Sequence, residues 1–122
     1  MTVKPGADKS HLHPNLNHAN LIIDKLWGAV FPEDLDGCTI TSGHEGDPTD
    51  GVHTPTSKHY IPNCASSHGE AEDLRVNDVQ QWKATVFAGV LWTVLFLAIG
   101  DHFTVFAENI LKPGAHIHVQ IK

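Results

Sequence analysis

Apolar residues recur at helical spacing through Leu16, Ala19, Ile23, Leu26 and Val30 and stop ahead of Pro32, which predicts a first helix over residues 16–30. The β-branched run Cys38-Thr39-Ile40-Thr41 predicts a strand. Residues 42–56 follow with Gly, Pro, Asp, His and Thr and no apolar period, so a long surface loop is expected there. Residues 71–76 alternate, with Ala71, Asp73 and Arg75 on one face and Glu72, Leu74 and Val76 on the other. Residues 103–107 and 116–121 predict two further strands, joined by a hairpin loop over 109–115 that carries Pro113-Gly114. The order α-β-β-α-β-β predicts an α+β domain, a small and mainly antiparallel sheet with helices packed on it.

Residues 84–99 are almost wholly apolar. The run falls short of the roughly 20 residues that span a bilayer, so a buried core helix is expected in place of a membrane span. Asn77 or Asp78 is the expected N-cap, and Gly100 stands where a C-terminal stop belongs. Trp82, Phe87, Trp92 and Phe96 fall around more than one face of this helix, which predicts cover on most sides, with Trp27, Trp82 and Trp92 in the core. Residues 1–13 are polar and read as a loosely ordered arm.

A length of 122 residues predicts one domain, 1–122, with a single core and no room for a second of comparable size. A formal charge of −6 with only eight Lys and Arg leaves no basic footprint, so nucleic acid is not an expected partner. Cys38 and Cys64 fit no CxxC spacing, which suggests reduced thiols or at most one bridge. The first twenty residues contain no apolar core segment, so no Sec signal peptide is expected. Ten histidines are far above ordinary usage and direct attention to metal chemistry.

Three separated fragments carry that chemistry: Ser57-Lys58-His59-Tyr60, Gly69-Glu70-Ala71-Glu72-Asp73-Leu74-Arg75 and His116-Ile117-His118. Together they offer imidazoles and a carboxylate at distant points of a small fold, the donor set of a catalytic zinc that keeps one position open for water. Asp73 and His118 each lie on an alternating strand that can aim every second side chain at one concave face. The acidic loop residues Glu45, Asp47 and Asp50 read as a solvated face, with Ca²⁺ binding as the other reading.

Taken in order, Ile40-Thr41-Ser42-Gly43, His53, Ser57-x-His59-Tyr60, Gly69-x-Ala71-x-Asp73-Leu74-Arg75, a strand ending in Glu108 and a closing His116-x-His118 resemble the family of zinc D-Ala-D-Ala carboxypeptidases and phage L-Ala-D-Glu endopeptidases, whose scaffold the hedgehog signalling domain shares. The resemblance implies a hedgehog/D,D-peptidase-like fold, Zn²⁺ held by His59, Asp73 and His118, Glu108 as general base, and His53 beside the metal. Ser42, Arg75 and His116 are the candidate substrate contacts, with pairing to a nearby acid as the other reading of Arg75 and support of the metal ligands as the other reading of His116. Residues 61–68 interrupt fragments that are contiguous in relatives, so His68 stands as an alternative ligand and the interruption is expected to be a surface excursion.

By the same resemblance, the expected substrate is a peptidoglycan stem peptide, and the expected protein is a monomer resembling a phage endolysin. It would act from the host cytoplasm with holin-dependent access to the wall, or from the virion. A non-catalytic zinc-binding module of the hedgehog kind and a phage structural or accessory protein are the other classes left open.

Overall fold

A computed structural model describes residues 1–77 and 79–122. Five strands form one sheet in the order β1-β2-β3-β5-β4: β1 (Thr2–Val3), β2 (Thr39–Ser42), β3 (Ala71–Arg75), β4 (Phe103–Glu108) and β5 (His116–Ile121). The β1–β2 pair is parallel and the other three pairs are antiparallel, so the sheet is mixed. Helices α1 (Pro14–Val30) and α2 (Gln81–Ile99) complete an α+β architecture, with one short 3₁₀ turn at Ile61–Asn63.

Helix α1 starts where its backbone donors find a partner. Pro14 occupies the first turn, where its missing N–H costs nothing, and His13 Nδ1 accepts from the Asn15 backbone N–H at 3.0 Å. Leu16, Ala19, Asn20, Ile23 and Trp27 form its buried stripe. Trp27, Phe31 and Phe87 cluster with ring centroids 4.6–5.3 Å apart, joining α1 to α2. Ile40, Leu74, Phe103, Val105, Ile117 and Val119 supply the sheet side of the same core. Both helices therefore cover one face of the sheet, and the opposite face carries the polar residues described below.

Helix α2 departs from the expected burial. Ala84, Phe87, Ala88, Leu91 and Leu95 face the core, but Trp82 (65% exposed), Val86, Val90, Trp92 (38% exposed), Phe96 and Leu97 lie open. Trp27 is thus a core residue whereas Trp82 and Trp92 are not. Two helices on one face of a small sheet cover α2 from a single side, and an apolar sequence cannot report how many sides its neighbours occupy. By length and composition alone α2 would also suffice to cross a membrane. The cap differs too: Gln80 is the N-cap residue and gives no side-chain cap bond, while Gln81 Nε2 donates to the Val76 carbonyl at 2.9 Å. Asn77 lies outside the cap position and Asp78 outside the described residues. Gly100 closes the helix at φ 93°, a conformation that favours glycine.

Residues 1–13 are not a loose arm. Thr2 and Val3 pair with Thr39 and Ile40, Leu12 bridges Gly69, and the His13 N–H donates to the Gly69 carbonyl at 2.8 Å. Backbone pairing needs no apolar pattern, which is why polarity misled the expectation. The arm also explains one glycine and crowds a second. A Cβ on Gly43 would stand 1.9 Å from the Asp8 carbonyl oxygen, and one on Gly69 would stand 3.2 Å from Leu12 Cδ2 of the arm and 2.5 Å from His44 Cβ.

Candidate metal centre

Strand register builds the site in two rows. Asp73 of β3 faces His118 of β5, which faces Phe106 of β4; one step along, Arg75 faces His116, which faces Glu108. A bulge in β2 adds a third element. Ile40 pairs with Leu74 but Ser42 pairs with Asp73, so one extra residue separates two ladder positions. Without it Ser42 would share the core-facing side of Ile40; with it Ser42 turns toward Asp73 and the site.

The segment between β2 and β3 closes over this face. Tyr60, fully buried, accepts from the His53 backbone N–H at 3.0 Å and donates its own hydroxyl to Asp50. Lys58 Nζ reaches the Ile121 carbonyl at 3.0 Å and Glu70 Oε1 at 3.5 Å, pinning the segment to the sheet. His53 and His59 are thereby stacked, ring centroids 4.1 Å apart and 12° from parallel. The result is a cleft of about 760 Å³ lined by His53, His59, Asp73, Glu108, His116 and His118, among others.

Asp73 is the hub. Its Oδ2 lies 3.3 Å from His59 Nε2, while its Oδ1 lies 2.8 Å from His118 Nδ1 and 3.6 Å from His116 Nε2. Burial opposes the Asp73 charge, yet the hydrogen bond from His118 and the close approach of His59 and His116 outweigh it and hold the carboxyl well below the usual range. For His118, burial disfavours the cation, but the hydrogen bond to Asp73 and its charge prevail, so the imidazole is raised. His53 is lowered, by burial first and then by the neighbouring His59.

Histidine tautomers follow from the acceptors around them. The Gly43 carbonyl stands 2.6 Å from His59 Nδ1, and the Gly114 carbonyl stands 2.8 Å from His116 Nδ1. A carbonyl only accepts, so each Nδ1 carries a proton, and a ring holding that one proton leaves Nε2 as a bare donor atom. This is the arrangement that orients metal-ligating histidines. His59 Nε2 is buried and makes no hydrogen bond among the described residues, while Asp73 Oδ2 lies 3.3 Å away. Zinc bonds of 2.0–2.1 Å place two tetrahedral ligands about 3.3 Å apart, so this spacing fits a shared ion. Two groups, His53-His59-Asp73 and Asp73-His116-His118, each hold their donor atoms within 4.8 Å and can bind a metal ion.

Every other residue singled out from the sequence has a definite place. Ser42 Oγ hydrogen-bonds His53 Nε2 at 3.0 Å and approaches His59 Nδ1 at 3.5 Å, so it orients histidines from behind. Glu108 ends β4 on the cleft wall with its side chain 42% exposed, and its Oε2 is 3.5 Å from His116 Nε2. Arg75 ends β3 with an exposed side chain, one row from Asp73, and is not among the residues lining the cleft. His68 belongs to neither histidine group: its Nδ1 meets the Ser66 carbonyl and its ring contacts His13. As an alternative ligand it is misplaced, because residues 61–68 loop toward the N-terminal arm and away from the cleft. Cys38 and Cys64 are free thiols.

Four contributors escaped the sequence reading. Gln120 Oε1 meets His118 Nε2 at 3.1 Å, and Phe106 lies 5.0 Å from the His118 ring. Both were within reach of strand alternation, two residues from His118 and from Glu108. The Gly43 and Gly114 carbonyls had no signal, being backbone atoms. Comparison with protein-family models, with curated proteins and with solved structures finds no match to this chain.

Proposed function

We propose that the protein is a zinc-dependent peptidase that hydrolyses stem peptides of bacterial peptidoglycan, as an L-Ala-D-Glu endopeptidase of endolysin type or a D,D-carboxypeptidase. The observation that carries this reading is the bare, buried His59 Nε2 facing Asp73 Oδ2 at 3.3 Å in an open cleft, with His118 on the other oxygen of the same carboxylate. His59, Asp73 and His118 would hold the ion. The bound ion would supply a Lewis acid and a water acidic enough to attack a carbonyl at neutral pH.

The chain's own residues do the rest. Asp73, held ionised, balances cationic charge at the bottom of the cleft. Glu108, half open to solvent on the cleft wall, accepts the proton of the attacking water and returns it to the leaving amine. His116 Nε2 stands 3.5 Å from the Glu108 carboxylate. His53, lowered and therefore neutral at pH 7, keeps an N–H to offer to a developing oxyanion. Ordered order-of-residue similarity to the zinc peptidase family supports the peptide-bond chemistry and the wall substrate.

The test joins metal analysis to digestion of purified peptidoglycan, with mass analysis of the released fragments. Glu108→Gln is expected to keep fold and zinc and to lose about 10²–10⁴-fold in turnover, since an amide cannot take the proton. Wild type that binds zinc but leaves every wall substrate intact would move the protein to a non-catalytic, hedgehog-like role.

A further inference from the structure

The two histidine groups share one residue, and it is the residue with two ligand atoms. Asp73 Oδ2 looks toward His59, which is stacked on His53, and Oδ1 looks toward His118 and His116. A site for one ion would leave His116 without a task, yet its tautomer is fixed as firmly as that of His59. Its Nε2 lone pair faces Asp73 Oδ1 at 3.6 Å and Glu108 Oε2 at 3.5 Å. One imidazole nitrogen with a carboxylate oxygen on either side is a donor set of the kind that holds a divalent ion.

We infer that Asp73 bridges two metal ions, one on the side of His59 and His53 and one on the side of His116 and His118, with Glu108 within reach of the second. This rests on the zinc reading above and deepens it. A bidentate carboxylate holding one ion on each oxygen is compatible with the spacing of about 3.5–4 Å found in two-metal hydrolytic sites. The donor distances of 3.3, 3.5 and 3.6 Å suit neighbouring ligands of zinc, and only the 2.8 Å His118–Asp73 contact must open, by about half an ångström. Imidazole and carboxylate ligands favour Zn²⁺ or Co²⁺ over the all-oxygen cations.

The test is stoichiometry and proximity. Metal-free protein dialysed against Zn²⁺ is expected to retain two ions per chain by elemental analysis, His116→Ala one, and His68→Ala two. One ion in wild type overturns the bridge and leaves the single-zinc peptidase standing; none overturns both. Protein loaded with Co²⁺ is expected to show magnetic coupling between the ions by low-temperature electron paramagnetic resonance. Two uncoupled Co²⁺ ions would place the second elsewhere and also overturn the bridge. Because this measurement uses the unaltered chain, it decides the matter even where His116→Ala fails to fold.

Discussion

Glu72 shows how one residue's neighbours set its charge. It is fully buried beside α1, and Asn20 Nδ2 donates to its Oε2 at 3.1 Å. Glu72 Oε1 and Asn20 Oδ1 have no partner among the described residues, and a proton on the carboxyl is the donor such a pair of acceptors lacks. Burial first of all pushes its pKa up to about 8, against the hydrogen bond from Asn20 and the charge of Lys9, while the charge of Asp73 adds to the rise. A carboxyl raised in the folded state binds its proton more tightly there than in the unfolded chain. Its contribution to stability is therefore whole below about pH 4.5 and is lost as pH rises toward 8. Glu72→Gln should flatten that slope and stabilise the protein above pH 8 by a few kcal/mol, measured by urea unfolding at pH 5 and pH 9. An unchanged difference between the two pH values would show that Glu72 does not carry the dependence.

At the scale of elements, α2 is two surfaces on one helix. Phe87 packs on Trp27 and Phe31, whereas Trp82 on the other side stands 65% exposed. Phe87→Ala is expected to cost about 3–5 kcal/mol in chemical denaturation, from lost burial and the cavity left behind. Trp82→Ala is expected to fall within about 0.5 kcal/mol, as exposed substitutions do. Comparable losses at both positions would mean that the outer face is covered in solution. The β2 bulge is the other decisive element: it alone moves Ser42 from the core-facing row to the metal-facing row.

Across the whole molecule, the N-terminal arm ties both ends of the site segment. It covers the outer edge of β2 through Thr2–Val3, lies against Gly43 through Asp8, and bonds Gly69 through His13. Removing residues 1–12 should expose the β2 edge and loosen both ends of the 43–70 segment, lowering the melting temperature and weakening metal retention together. A truncated protein with wild-type melting and full metal would show that the sheet holds His53 and His59 without the arm.

Local sequence pattern located both helices and the four longer strands, by helical spacing for α1, an unbroken apolar run for α2, a β-branched run for β2 and alternation for β3. Alternation also put Asp73, His116 and His118 on strands that aim them at one face, whereas Glu108 was reached through the family resemblance. Which residues complete the cluster was a matter of tertiary structure. Sequence context favoured His59 over His68 without excluding the latter, and the path of residues 61–68 puts one in the cleft and the other against His13. The burial of α2, the pairing of the polar arm and the carbonyls that fix His59 and His116 were equally hidden. Each depends on what lies across space from a residue, and a one-dimensional pattern records only what lies beside it.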